Sequence, residues 1–353
     1  MQRGRLQLVG STIRKVAVFR ALKLGDLLVA VPALRALRAA LPHAEVHLLG
    51  LPWAREFVSR FPHLLDGFRE FPGWPGLPEI EPRLERIPAF ISSMQREKYG
   101  LVLQLHGSGS IVNELCLLFG ARRTAGFFSP GAHCFDPSSF LPWPRTGLEL
   151  RRLLALTEFL GFRACGEHLE FPVRSGEFER VLASIDVEPW KYACVHVGAS
   201  TSERRWPEAR FAAVADALAD QGLQIVLTGT AAEAPLTRNV AAAMTAPVID
   251  FAGKTDLGTA AALIARARLL VCNDTGVSHL ADAVRTPSVV ISTGDNPARW
   301  APIDAARHRV LSRASGLVPT REAVAAALEL LERITPVLRL FSLEGIPCGR
   351  SAS

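Results

Sequence analysis

Short apolar runs recur along this chain, each followed by a turn and then a stretch of helical periodicity. In the first half they are Lys15–Ala21 (KVAVFRA), Glu45–Gly50 (EVHLLG) and Leu101–Leu105 (LVLQL). In the second half they are Ala193–Val197, Gln224–Thr228, Leu269–Asn273 and Ser288–Ser292. A strand that is apolar without alternation must be covered on both faces, which is the condition of a parallel sheet packed between helices. Helical spacing is expected over Leu27–Leu41, 112–120, 148–160, Pro207–Gln221, 233–244, Asp256–Ala267, Val277–Val284 and 320–333. The order strand, turn, helix, strand opens a doubly wound sheet, and it occurs twice. The fold class is therefore α/β, with two Rossmann-like doubly wound domains facing a cleft. No sequence repeat relates the halves.

The domains are expected at 1–165 and 176–318, joined through a linker near 161–175. Residues 319–353 form a final helix, over 320–333, and a tail. Residues 126–147 read as irregular. Residues 72–88 carry five prolines and read as a surface excursion, either a connector or a frame for a ligand.

Composition narrows the class. Of 353 residues, 49% are apolar and 21% charged, which supports folded cores rather than disorder. No apolar stretch approaches the roughly 20 residues a membrane-spanning helix needs. Arg14, Lys15, Arg20, Lys23 and Asp26 break up the N-terminal apolar residues, against a signal peptide and in favour of a cytoplasmic protein. The six cysteines form no CxxC pair and no zinc spacing, and read as reduced thiols. The net charge of +6 is uneven: residues 1–160 hold 20 basic and 13 acidic residues, the remainder 20 and 21. A basic first half suits an anionic partner such as a phosphorylated glycolipid or a membrane surface. No nucleic-acid-binding motif is present.

Ligands of open parallel sheets bind beyond the carboxyl ends of the strands. Three turns in such places carry chemistry. Gly25-Asp26 follows the first strand: Gly25 permits a turn, and Asp26 either satisfies N–H groups at a helix start or faces the cleft as a proton acceptor. Gly198-Ala199-Ser200-Thr201-Ser202-Glu203-Arg204-Arg205-Trp206-Pro207 opens with small and hydroxyl residues, lets backbone amides approach phosphate, and supplies a guanidinium; one of its two arginines is expected to face solvent. Asn273-Asp274-Thr275-Gly276-Val277-Ser278-His279 would aim the Thr275 and Gly276 amides at an anion from a helix start, unless Asp274 and Thr275 only cap that helix and His279 is a core histidine. There is no dinucleotide fingerprint and no P-loop, and His106-Gly107-Ser108-Gly109-Ser110 is only a glycine turn.

The segments FRALKLGDLLVAVPALRALRAALPHAEVHLL, HVGASTSERRWPEARFAAVADAL, VLTGTAAE and DFAGKTDLGTAAALIARARLLVCNDTGVSHLADAVRTPSVVISTGDNPARWAP resemble the lipopolysaccharide heptosyltransferases, glycosyltransferase family 9, whose donor is ADP-heptose. The resemblance covers most of the chain and implies the GT-B arrangement. It implies an N-terminal acceptor domain, a C-terminal nucleotide-sugar domain, no metal or other cofactor, and a final helix that crosses back to the first domain. It also implies an anionic glycolipid acceptor met at the cytoplasmic face of the inner membrane. By position, Asp26 matches the proposed general base. Asp274, Thr275, Gly276 and His279 match the donor-binding segment, Ser200 and Thr201 the donor-phosphate loop with Gly198 at its turn, and Glu233 an acidic residue near the ribose. One departure is Arg204, where the family usually has lysine two residues before Trp-Pro. It leaves room for a related transferase using another nucleotide sugar on a glycan or protein. A non-catalytic nucleotide-sugar module is the remaining alternative.

Overall fold

In the computed structural model, residues 13–294 and 296–333 are described, and the chain divides into two compact units between Glu167 and His168. The first unit holds strands β1 (Lys15–Phe19), β2 (Glu45–Gly50), β3 (Gly67–Glu70), β4 (Leu101–Gln104), β5 (Thr124–Phe128) and β6 (Phe140–Pro142), in the sheet order β3-β2-β1-β4-β5-β6. Every pairing is parallel, with Val16 opposite both Val46 and Leu101. The second unit holds β7 (Tyr192–His196), β8 (Gln224–Thr228), β9 (Val248–Asp250), β10 (Leu269–Asn273), β11 (Ser288–Ser292) and β12 (His308–Ser312), in the order β12-β11-β10-β7-β8-β9, again all parallel. In each unit the first strand lies beside the fourth, and the order reverses there. That is the place where an open α/β sheet parts its loops and takes a ligand.

The apolar runs became the central strands for the reason given: β1, β4, β7 and β10 are buried almost throughout. The strands that carried no such run are β3, β6, β9 and β12, the outermost of each sheet, and the short β5. β3 (GFRE) and β9 (VID) are only half-buried, so no continuous apolar run marks them. Residues 126–147, expected to be irregular, contain most of β5 and all of β6. The edge position of β6 tolerates Pro142, which cannot donate to a neighbour.

The helix expected over Leu27–Leu41 is two helices, Leu24–Leu28 and Val31–Ala40. Pro32 lacks an N–H and its ring conflicts with the carbonyl four residues back, that of Leu28, so the first helix stops there. Gly25 and Asp26 therefore sit inside a first helical turn rather than in a free turn, and Gly25 is buried.

The helix Thr320–Arg333 has the expected limits, but its apolar face belongs to the second unit. Ala323, Ala326, Ala327 and Leu330 lie in one core with Val289, Ile291, Phe211 and Trp206. The expected crossing back to the first unit is corrected for these residues, because β10, β11 and the helix Glu208–Ala219 already occupy that face. Residues 334–353, the rest of that expectation, lie outside the described residues.

Candidate functional site

In the first unit the reversal point lies between the carboxyl ends of β1 and β4. Arg20, the residue after β1, is fully buried. Its Nε donates to the Asp26 carbonyl at 2.6 Å and its Nη1 donates to the Leu105 carbonyl just past β4. Its Nη2 lies 3.6 Å from Asp26 Oδ1 and 3.8 Å from Glu149 Oε1. Glu149, at the start of the helix Glu149–Phe159, is also buried and sits 3.6 Å from Nη1 of Arg152. A buried guanidinium needs matched charge and accepting oxygens, and this one has both.

Asp26 is the exposed end of the chain of charges, with 26% of its side chain accessible. No backbone N–H hydrogen-bonds its carboxylate among the described residues, so the geometry is not that of a helix cap. The carboxylate is aligned by Arg20 and open to solvent, which is what a proton acceptor for an incoming hydroxyl requires.

The proline-rich segment reaches the same place. The Ala21 N–H donates to His106 Nδ1 at 3.2 Å, which leaves the ring proton on Nε2, facing Glu79 Oε1 at 3.1 Å. Burial pushes the Glu79 carboxyl up, but the hydrogen bond from His106 outweighs it and holds the carboxyl below its ordinary range. Trp74, Leu77 and Ile80 of the segment pack on the core around Phe19 and Phe71. The excursion is thus pinned to the turn after β1 rather than being a loose connector.

In the second unit the equivalent point lies between β7 and β10. Asn273, fully buried at the end of β10, accepts from the Trp206 N–H at 2.9 Å and donates to the Val197 carbonyl at 2.8 Å. Trp206 Nε1 donates to the Val318 carbonyl at 2.9 Å, which ties the loop into the core. On this base Arg204 spans the site: Nη1 donates to Ser200 Oγ at 3.1 Å and Nη2 to the Asp274 carbonyl at 2.7 Å. One of the two arginines was expected to face solvent, but both are half-buried: Arg205 donates from Nε and Nη2 to the Ala199 carbonyl at 3.2 and 3.0 Å and braces the loop. Thr201 lies exposed at the start of the short 3-10 turn Ser202–Arg204.

Beyond Arg204, the helix Gly276–Ala283 begins at Thr275 with no side-chain cap, and Thr275 Oγ1 is buried without a hydrogen-bond partner. Asp274 turns inward, where it accepts from Ser292 Oγ at 3.2 Å. Simple capping by Asp274 or Thr275 is therefore not what occurs. An uncapped helix start beside a guanidinium is an anion site by electrostatics alone. His279 is buried, edge-on to Trp300 at 6.0 Å between ring centres.

Glu233 comes to this point from the far side. Its carboxylate closes a capping box, accepting from Thr230 N at 2.8 Å and Thr230 Oγ1 at 2.9 Å. Its Oε1 lies 1.9 Å from where a Cβ on Gly198 would stand. Gly198 does not have a positive φ, so its glycine is required by the approach of Glu233 rather than by a turn. Beside it, burial pushes the His196 imidazole down, against the opposing pull of the Glu233 charge.

The structure thus brings Gly198, Ser200, Arg204, Glu233, Asp274, Thr275, Gly276 and His279 to loops around one sheet reversal and places Asp26 at the other. Arg20, Glu149, Arg152 and Glu79 were not anticipated, and His106 was read only as the start of a glycine turn. Only Arg20 left a signal, as a charge closing an apolar run. Among the described residues no three His, Cys, Asp or Glu side chains gather as a metal ion would require, and no helix is long and apolar enough to cross a membrane.

The fold is shared with solved transferases. A glycosyltransferase family 9 structure from Veillonella parvula superposes with a TM-score of 0.77 at 21% identity, over 91% of this chain and 98% of that one. The ADP-heptose lipopolysaccharide heptosyltransferase II of Escherichia coli gives 0.70 at 22% identity, over 91% and 99%. In sequence, lipopolysaccharide heptosyltransferase 2 of Escherichia coli K12 is 24% identical over 332 residues, 88% of this chain and 92% of the relative. The sequence model of glycosyltransferase family 9 (heptosyltransferase) matches residues 89–329. This chain belongs to that family and is a glycosyltransferase.

Proposed function

We propose that the protein transfers heptose from ADP-heptose to the inner core of lipopolysaccharide, the lipid A–Kdo region, with inversion at the anomeric carbon. The observation that carries the donor half is Arg204, bridging Ser200 and the Asp274 carbonyl beside the uncapped start of the helix Gly276–Ala283. That arrangement suits a diphosphate, and the names of the relatives supply the sugar.

In the reaction, Asp26 takes the proton of the acceptor hydroxyl as its oxygen bonds to the anomeric carbon. The bond from that carbon to the diphosphate oxygen breaks, and Arg204, Ser200 and the amides at Thr275 and Gly276 stabilise the charge left on the diphosphate. Thr201 and His279 contribute to the donor pocket, and Glu233 approaches the ribose. Arg204 takes the role of the neutralising cation, so no metal or other cofactor is required. Turnover that stops with excess chelator and returns with a divalent cation would reject that last point.

The acceptor is an anionic glycolipid, met by a cytoplasmic protein in peripheral contact with the inner membrane; nucleic acid is not a partner. Calorimetry with a panel of nucleotide-diphosphate sugars tests the donor. Selective binding of ADP-heptose supports the reading. Preference for a uridine or guanosine sugar moves the protein to another substrate within the same mechanism, as the change of lysine to Arg204 allows. Binding without any product would reduce it to a nucleotide-sugar module.

A further inference from the structure

The helix Ser110–Leu118 is apolar on both faces. Val112, Leu115 and Cys116 are buried in the first unit's core, while Ile111, Leu117 and Leu118 are exposed at 37%, 40% and 46%. Ile111 and Leu118, seven apart, lie in line, and Leu117 stands about 100° round from Leu118 on the same exposed face, with Glu114 between them; the fold leaves this face uncovered among the described residues. Phe135, 38% exposed, continues the apolar surface past the end of the helix, where Leu117, Phe135 and Phe140 line an open pocket of about 420 Å³ together with Arg122 and Arg123.

Positive charge rings this edge. Arg122 and Arg123 are exposed. The Arg122 N–H donates to the Tyr99 carbonyl at 2.9 Å, which sets it beside the exposed Lys98. Gln95 donates to the Leu118 carbonyl at 2.9 Å and brings the exposed Arg96 alongside. The nearby acids are largely engaged. Glu97 is paired with Lys15 and Arg69; Asp136, in the pocket lining, keeps its charge and offsets part of that of Arg123, and Glu114 stands on the exposed helix face.

We propose that this edge, Leu117, Leu118 and Phe135 within the ring of Arg96, Lys98, Arg122 and Arg123, is the surface by which the protein docks on an anionic bilayer. Apolar side chains enter the interface while guanidinium and ammonium groups meet headgroup phosphates, the same pairing that seats amphipathic helices on membranes. A protein partner would be served by the apolar face but would not require four cations around it. The inference rests on the peripheral association proposed above and localises it.

The test uses the full chain and vesicles of phosphatidylcholine, with or without phosphatidylglycerol, in a flotation assay. The wild type should bind the anionic vesicles and lose binding as salt rises. Arg122→Ala with Arg123→Ala should weaken binding about fivefold for each arginine removed and flatten the salt dependence. Leu117→Glu with Leu118→Glu, both exposed and neither assigned a part in the proposed chemistry, should remove binding while donor affinity and the unfolding midpoint stay unchanged. Failure of the wild type to bind would overturn association itself. A wild type that binds and variants that bind equally would overturn only this surface. Sedimentation showing a wild-type dimer that the leucine variants dissociate, with vesicle binding intact, would make the face a contact between copies and likewise overturn the proposal.

Discussion

At the reversal point of the first sheet, between β1 and β4, the charges are paired: Arg20 donates to two carbonyls and lies within ion-pair range of Asp26 and Glu149. At the equivalent point of the second sheet, between β7 and β10, the polar groups are less completely enclosed. There Arg204 is only partly buried, a helix begins uncapped, and the Thr275 hydroxyl waits buried without a partner. The connectivity of the two sheets is the same. What differs is whether the loops close their own electrostatics. A closed network holds one carboxylate rigidly, as proton abstraction needs; an open one has capacity for a multiply charged ligand.

The sharpest break of this comparison is Asp26→Asn. We predict a fall in kcat of about 10²–10⁴-fold with donor affinity unchanged; near-normal turnover would remove Asp26 as the base. Next is Arg20→Met, which strands Asp26 and Glu149 in a poorly solvated place. It should cost about 3–5 kcal/mol in urea unfolding, and a loss below 1 kcal/mol would mean the network is not closed as described.

The matching change in the open site, Arg204→Ala, should spare stability and instead weaken donor binding about 10–100-fold, the worth of a charge-assisted hydrogen bond. Calorimetry showing unchanged donor affinity would place the diphosphate elsewhere. Gly198→Ala forces a methyl group against the Glu233 carboxylate, and we expect about 1–3 kcal/mol of destabilisation. An unfolding midpoint equal to wild type would show that Glu233 moves freely.

The smallest effect is expected at the opposite, amino-terminal end of the first sheet's strands. Burial raises the Glu97 pKa, but hydrogen bonds from Lys15 and Arg69 outweigh it and hold the carboxyl at about 2, against an ordinary 4.5. Because the folded value is the lower one, its stabilising effect is complete above pH 4.5 and is lost as pH falls toward 2. Glu97→Gln should remove about 1–2 kcal/mol of pH-dependent stability from that window, after allowance for solvent screening. An unaltered acid-unfolding profile would rule this out.

What the sequence disclosed and what it hid follow the same division. The central strands announce themselves because burial on two faces demands continuous apolar residues, whereas β3, β6 and β9, short and half-covered, need none. The open site was legible because its parts are local: Ser200 and Arg204 share one loop, and Asp274 to His279 share one helix start. The closed network was not, since Arg20 meets Glu149 through the fold alone and neither residue is unusual in its own stretch of chain. Helical periodicity located Thr320–Arg333 but carried no word of its partner; the crossing came from the family resemblance, and the fold instead seats the apolar face in the second unit's core.

The contact of Glu233 with Gly198 has a consequence for how related sequences change. Since Oε1 stands where a Cβ would be, the two positions are not free to vary independently. A side chain at position 198 would have to displace the Glu233 carboxylate from its capping box, and loss of the acid releases that position. Gly198→Ala introduced together with Glu233→Ala should therefore be less harmful than the sum of the two single changes.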